Sequence, residues 1–482
     1  MLKHGPNIGL QHATGITGRQ TLSTYIRDAC PPFRSLEINA LRSPAILLCV
    51  LSIFWTSLGT AQADDWPQWL GPKRDSVWRE EGIVREFPKE GLKVLWRVPV
   101  AKGYAGPAVA GGRVFVTDYV RRAGEGTSGP MGRDKLEGTE RVLCFDAASG
   151  KQLWKYEYEC PYFISYPDGP RCTPTVDGDR VYTLGAEGNL LCLAAADGRV
   201  LWSKELKKEY AIEAPYWGFA GHPLVDSNLL YCLVGGKGSV AVAFNKLTGQ
   251  EEWRALTADE PGYCPPTMIE HAGVKQLLFW SPESVNSLDP QTGIVHWSIP
   301  LKPDFHMSIA APRKLGDFLY ASGIGDAAAL IKLDAAKPGA EVVWRGEPKS
   351  AVYCANSTPF LLDGTIYGAN CRNGAMMGVR LEDGKRLWQT FKPTTGAASA
   401  SHGTAFIVRH EDRFFLASET GDLILAKLTP AGYEELGRFH MLAPDGKAFG
   451  RDVVWSHPAF AGRCVFARNN SELICVSLAE KQ

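Results

Sequence analysis

Three histidines stand out because imidazole can ligate metal or move protons near neutral pH. His222 and His457 each precede a proline, and His402 precedes Gly403. All three fall just before or at a predicted inner strand. Three imidazoles at one height around a channel could bind a metal ion. The spacing along the chain places them in the third, seventh and eighth of eight units, so His222 is expected across the ring from the other two. That arrangement favours a hydrogen-bonding role where each strand begins, and no metal site is expected. No serine-nucleophile elbow, phosphate-binding glycine loop or His-Glu-x-x-His helix is present, and no Cys-x-x-Cys-His for a covalently held haem.

The other residues with chemistry to offer lie in predicted loops on the same face. Loops leading into the inner strands carry Tyr104, Arg171, Trp217, His222, Tyr263, His306, Tyr353, His402, Trp455 and His457. Loops between second and third strands add Arg372 and Arg468. Aromatic and charged side chains facing a funnel could grip a small polar ligand, a peptide or another protein. Solvated loop tips account for the same residues in blander terms.

A repeated phrase must position these loops. A glycine turn followed by a tryptophan recurs at Gly150–Trp154, Gly198–Trp202, Gly249–Trp253, Gly293–Trp297 and Gly384–Trp388. Trp344 is a further copy with its glycine, Gly339, one place early. Successive tryptophans are 48, 51, 44, 47 and 44 residues apart. Each period holds short alternating strands separated by Asp-Gly and other glycine turns, which predicts four antiparallel strands in a meander. That is a propeller blade.

A second-strand aromatic counts the blades: Phe115, Tyr182, Tyr231, Phe279, Tyr320, Tyr367, Phe415 and Phe466 make eight. Leu436 is expected to replace the outer tryptophan of the seventh. The eighth blade runs out near the chain end after Leu473–Leu478. Its missing outer strand is Val94-Leu95-Trp96-Arg97-Val98, so the predicted fold is all-β, an eight-bladed propeller closed by pairing the N-terminal strand with the C-terminal blade. Closure hides a sheet edge that would otherwise invite aggregation.

Composition is ordinary for a globular protein: 45% hydrophobic, 22% charged, formal net charge zero. Neutral balance argues against nucleic-acid partners. Residues 1–63 read as a leader ending in a signal peptide. Arg42 precedes an apolar stretch from Ala45 to Leu58, and Ala61-Gln62-Ala63 offers a small-x-small cleavage site. Cleavage after Ala63 would release a mature chain with no transmembrane segment, periplasmic or extracellular, expected to be monomeric. Residues 64–93 form an extension expected to pack on the propeller of residues 94–482.

Ten cysteines follow the leader. Cys144, Cys192 and Cys475 share one third-strand position. Blades pack roughly 10 Å apart, whereas a disulfide needs Cα atoms within about 7 Å, so these three read as buried fillers. Cys354–Cys371 and Cys160–Cys172 are candidate disulfides in an oxidising compartment. The glycine-rich, charged stretch from Arg121 to Thr139 interrupts the first blade and is expected to be a mobile flap.

The phrase Phe145-Asp146-Ala147-Ala148-Ser149-Gly150-Lys151-Gln152-Leu153-Trp154, echoed at Leu288-Asp289-Pro290-Gln291-Thr292-Gly293, resembles the tryptophan-docking repeat of quinoprotein alcohol dehydrogenase-like propellers. The opening Asp65-Trp66-Pro67-Gln68-Trp69-Leu70-Gly71-Pro72 resembles the start of exported bacterial pyrroloquinoline quinone-like repeat proteins. The resemblance implies that Trp96, Trp154, Trp202, Trp253, Trp297, Trp344 and Trp388 each dock on the neighbouring blade. It leaves function open, because such propellers include quinone dehydrogenases and a non-catalytic component of outer-membrane protein assembly. A dehydrogenase would need pyrroloquinoline quinone (PQQ) with Ca²⁺ held by carboxylate and amide oxygens. Neither that ligand set nor an adjacent-cysteine pair can be placed in this sequence. The expected function is therefore an exported, non-catalytic propeller, without cofactor, that binds a protein, peptide or envelope polymer at its funnel face. The alternative is a divergent PQQ-dependent alcohol or sugar dehydrogenase.

Overall fold

The computed structural model describes residues 64–126 and 132–480. The proposed leader and its cleavage site lie outside those residues. Among the described residues, eight four-stranded antiparallel meanders are arranged as propeller blades, with one helical turn at Leu206–Glu209 and one 3-10 turn at Asp304–His306. No helix among the described residues is long and apolar enough to cross a membrane. All eight second-strand aromatics are buried in their sheets.

The ring closes as the sequence predicts. Strand Val94–Pro99 lies antiparallel to Glu472–Ser477, with Trp96 opposite Cys475 and Arg97 opposite Ile474. That sheet continues through Cys464–Arg468 to Ala459–Ala461.

Every outer strand carries a β-bulge at the same place. A bulge adds twist and re-aims the following side chain. The extra residue is turned outward, which explains why Leu95, Leu153, Val343 and Leu387 are exposed. The next residue is the tryptophan, which faces the following blade. The indoles of Trp96, Trp154, Trp202, Trp253, Trp344 and Trp388 donate to the carbonyls of Ala147, Ala195, Lys246, Pro290, Leu381 and Thr429 in the next blade, at 2.8–3.1 Å. Trp297 differs and donates to Gln276 Oε1 in its own blade at 2.9 Å. The turn it faces is the irregular one, where Gly339 folds back on Asp334 instead.

Four expectations need correction. Leu436 is the bulge residue of blade seven, and Gly437 holds the tryptophan position opposite Leu425. Phe87 of the N-terminal extension packs there: a Cβ on Gly437 would stand 3.0 Å from its ring. In the stretch Arg121–Thr139, residues 121–123 and 134–139 are paired strand, because the second and third strands run through Arg113–Ala123 and Asp134–Asp146 and take in a further strand, Tyr162–Ile164; residues 127–131 lie outside the described residues. Finally, neither candidate disulfide forms, and all ten described cysteines are free and buried. The Cys160 thiol approaches Asn189, whereas Cys172 lies against the carbonyl of Phe219, so the two point to different neighbours. Cys354 and Cys371 do sit where two loops of one blade meet, with Cys371 N–H donating to Tyr353 O at 2.7 Å, but both remain thiols. Cys144, Cys192 and Cys475 are fillers as expected, each opposite a tryptophan.

Residues 64–93 run across the inner strands. Trp66 forms a bridge with Val109 of blade one, Pro67 O accepts from Val176 of blade two, and Trp78 N–H donates to Arg409 O of blade seven. Arg313 of blade five donates to Arg74 O and Asp75 O, both at 2.7 Å. One short segment thus ties together inner strands from around the ring.

Candidate functional site

The inner-strand loops converge on a cavity of about 190 Å³. Its wall includes Trp69, Tyr104, Arg171, Trp217, His222, Tyr263, Asn356, Thr358, Trp455 and His457. Seven of the twelve residues proposed from sequence therefore meet: Tyr104, Arg171, Trp217, His222, Tyr263, Trp455 and His457.

The other five do not line it. Arg468 is fully buried and spends its guanidinium on the carbonyls of Ala101, Thr117 and Asn469. Tyr353 is buried and donates to Glu347 O at 2.7 Å. Arg372 lies over the Tyr353 ring and pairs with Asp326 at 2.6 Å. His402 stacks on Phe449 with centroids 4.8 Å apart. His306 is exposed on the 3-10 turn.

His222 and His457 were expected on opposite sides of the ring. They are neighbours, with ring centroids 6.3 Å apart. A propeller's inner strands crowd toward its axis, so side chains from distant blades meet there. Trp69 sits against both rings. Its indole stacks on His222 at 4.9 Å and donates through Nε1 to His457 Nε2 at 3.3 Å. His222 Nδ1 in turn accepts from the backbone N–H of Thr173 at 2.8 Å.

These two bonds assign the tautomers. Indole and backbone N–H groups can only donate. The lone pair of His457 is therefore at Nε2 and its proton at Nδ1, while His222 carries its proton at Nε2. Burial holds both rings neutral: it pushes His457 down to about 3 and His222 well below the usual imidazole range, with Arg74 and His457 adding to the effect at His222. Both lone pairs are already in use. Neither ring can ligate a metal or accept a proton without giving up its bond.

Arg74, a residue that sequence reasoning missed altogether, ties the segment that carries Trp69 to the entries of the inner strands. The Arg74 guanidinium is buried and donates to Gln68 Oε1 at 2.8 Å, Pro266 O at 3.0 Å, His222 O at 3.3 Å and Pro223 O. Burial lowers it to about 9, so it is still charged at neutral pH. The signal available in the sequence was only an arginine and a tryptophan in a segment without repeat register.

The rim is similarly braced. Trp455 Nε1 donates to Glu419 at 3.1 Å, and Arg451 grips the same buried carboxylate at 2.8 and 3.1 Å. Arg171 lies over the Tyr104 ring at 5.2 Å while donating to the carbonyls of Ser165 and Tyr166. Trp217 packs edge-on against Tyr263. The walls are held by their own contacts, as a preformed recognition site requires.

Calcium needs about six to eight oxygen ligands with carboxylates among them. The cavity lining contains no Asp or Glu. Of the carboxylates near its walls, Glu419 is engaged with Arg451 and Asp168 with Lys102 at 2.7 Å, and Glu260 meets the lining only through the Tyr263 hydroxyl at 3.4 Å. The donor set does not fit a quinone held through calcium.

An eight-bladed ring with a funnel pocket places the chain in a class of repeat propellers. The profile of one family, described as outer membrane protein assembly factor BamB, matches residues 80–168, 138–304 and 281–482, and the chain belongs to that family. Among solved structures, BamB from Moraxella catarrhalis is 13% identical with a TM-score of 0.52, over 81% of this chain and 99% of that one. The quinohemoprotein alcohol dehydrogenase from Comamonas testosteroni is also 13% identical with a TM-score of 0.52, over 87% of this chain and 81% of that one. At such identity both likenesses speak for fold alone. No curated protein matches the chain.

Proposed function

We propose that this protein is an exported, non-catalytic propeller whose funnel pocket anchors a protein or peptide of the cell envelope. One observation carries the reading. The pocket offers no proton acceptor fit for catalysis: its lining lacks a carboxylate, and both imidazole lone pairs are spent on Trp69 and Thr173. General acid–base chemistry needs such a group within hydrogen-bond reach of the substrate. What remains is a rigid aromatic wall, the composition of a binding hot spot. Membership in a family described as an outer membrane protein assembly factor supports a protein partner and an envelope location.

The test is capture from envelope extract by the immobilised mature chain. Trp217→Ala and Trp455→Ala should each reduce capture at least tenfold, and Arg372→Ala, outside the pocket, should leave it intact. Undiminished capture by both tryptophan variants would overturn the reading. So would dye-linked alcohol oxidation by the protein loaded with PQQ and Ca²⁺.

A further inference from the structure

We propose that the funnel pocket recognises a carboxylate borne on an apolar group, such as the last residue of a polypeptide. The inference rests on the binding reading above and goes further by naming the chemistry of the anchor.

The hydrogen-bonding valences left open in the pocket are predominantly donors. The tautomers assigned by Thr173 and Trp69 leave His222 with a free Nε2–H and His457 with a free Nδ1–H. The Trp217 indole N–H and the Tyr104 hydroxyl make no hydrogen bond to another described residue. All four residues line the same cavity. Of the side-chain oxygens there, Thr358 Oγ1 accepts from Ala311 N–H at 3.3 Å and the Tyr263 hydroxyl contacts Glu260 at 3.4 Å, while the Asn356 amide donates to His402 O at 3.5 Å and keeps its Oδ1 as an open acceptor.

Two cations without a carboxylate partner stand at the pocket, whereas Glu419 and Asp168 are paired with Arg451 and Lys102 and Glu260 meets the lining at the Tyr263 hydroxyl. Arg171 stands in the wall and Arg74 directly behind His222, and both guanidiniums are satisfied by neutral oxygens, carbonyls and the Gln68 amide, with no carboxylate in reach. A ligand rich in donors or bearing positive charge would find few acceptors, Asn356 Oδ1 and the Tyr104 hydroxyl, and would face two cations. An amide or alcohol could use the donors only in part. A carboxylate has two oxygens and about four acceptor positions, and charge-assisted bonds to it are the strong ones. Its apolar carrier would lie against the indole and phenol rings of Trp217, Tyr263 and Trp455. A polypeptide C-terminus and a small free aromatic acid share this chemistry.

Tryptophan fluorescence of the mature chain, titrated at low salt, tests the idea with three probes: acetyl-Gly-Gly-Phe as the free acid, the same peptide as its C-terminal amide, and phenylacetate. The peptide acid should bind at least tenfold tighter than the amide. Trp217→Phe and Tyr104→Phe keep the rings and remove one donor each, so each should weaken the acid at least threefold and leave the amide unchanged. Phenylacetate binding as tightly as the peptide acid would support the proposal with a small free acid as the source. Binding of the peptide acid alone would support it with a polypeptide terminus. Equal binding of acid and amide, or binding of none of the three, overturns the proposal. Capture from envelope extract that still depends on Trp217 would then leave the broader binding reading standing.

Discussion

Trp154 lies on Gly198 of the next blade so closely that a methyl group on Gly198 would stand 2.5 Å from the indole ring. The same relation joins Trp96 to Gly150, Trp202 to Gly249 and Trp253 to Gly293. The glycine and tryptophan that recur together along the chain therefore serve different seams. Each glycine receives the indole of the blade before it, and each tryptophan reaches the blade after it.

Gly198→Ala should destabilise the protein by about 2–3 kcal/mol, through a positive φ of 76° and overlap with the Trp154 ring. Gly178 has a similar φ of 59° with open space around it, so Gly178→Ala should cost only about 1 kcal/mol. Urea unfolding of the two variants separates steric from backbone cost. Equal losses would mean that indole contact contributes nothing.

Phe87 fills the place of the eighth indole. Because it is half-buried, Phe87→Ala should cost about 1–2 kcal/mol. Gly437→Trp alone should also destabilise, since the new ring and Phe87 would compete for one space. The double variant should recover stability relative to Phe87→Ala. A double variant no more stable than the single would show that the position cannot accept an indole.

Arg74→Met should cost about 2–5 kcal/mol, because the carbonyls of His222, Pro223 and Pro266 would lose a donor in a buried site. Gln68, next to Trp69, would lose its bond from the guanidinium, and the pocket would loosen with it. Denaturant unfolding reads the first effect and quenching of pocket fluorescence the second. A loss under 1 kcal/mol would exclude Arg74 as the anchor of the segment.

Stability should fall on mild acidification. Burial depresses His457 to about 3, His402 to about 4 and His222 well below its usual value. An unfolded histidine takes up its proton near pH 6.5, so below that pH the unfolded state binds more protons than the folded one. The stability these rings contribute is complete above pH 6.5 and is lost as pH falls toward their folded values. Each fully buried ring contributes a slope of about 1.4 kcal/mol per pH unit in that window. His402→Phe, which keeps a ring to stack on Phe449, should flatten the curve measured by urea unfolding from pH 7.5 to 4.5. An unchanged slope would show that His402 titrates normally.

Much of this molecule was legible in one dimension. The 44–51-residue spacing of tryptophans, the second-strand aromatics and the outlying strand around Trp96 specify the number of blades and the way the ring closes. Hairpins are local, and alternation with period two assigns each side chain a face of its sheet. For the same reason, residues in equivalent loops could be placed on one face, and seven of twelve reached the pocket.

Distances across the axis were not legible. His222 and His457 are 235 positions apart, and no periodicity states how narrow the channel is between them. Trp69 and Arg74 belong to a segment outside the repeat, so their place under the pocket depends on how residues 64–93 thread across the inner strands. The exchange of Trp for Gly437 with Phe87 was hidden because a bulge shifts register by one residue, and a side chain remote in sequence fills the gap. Sequence alone determined the ring, because a repeated local pattern suffices to build it. Only tertiary structure decided the chemistry of its centre, because there the two histidine tautomers are set by hydrogen bonds from Thr173 and Trp69, residues brought to them by the fold.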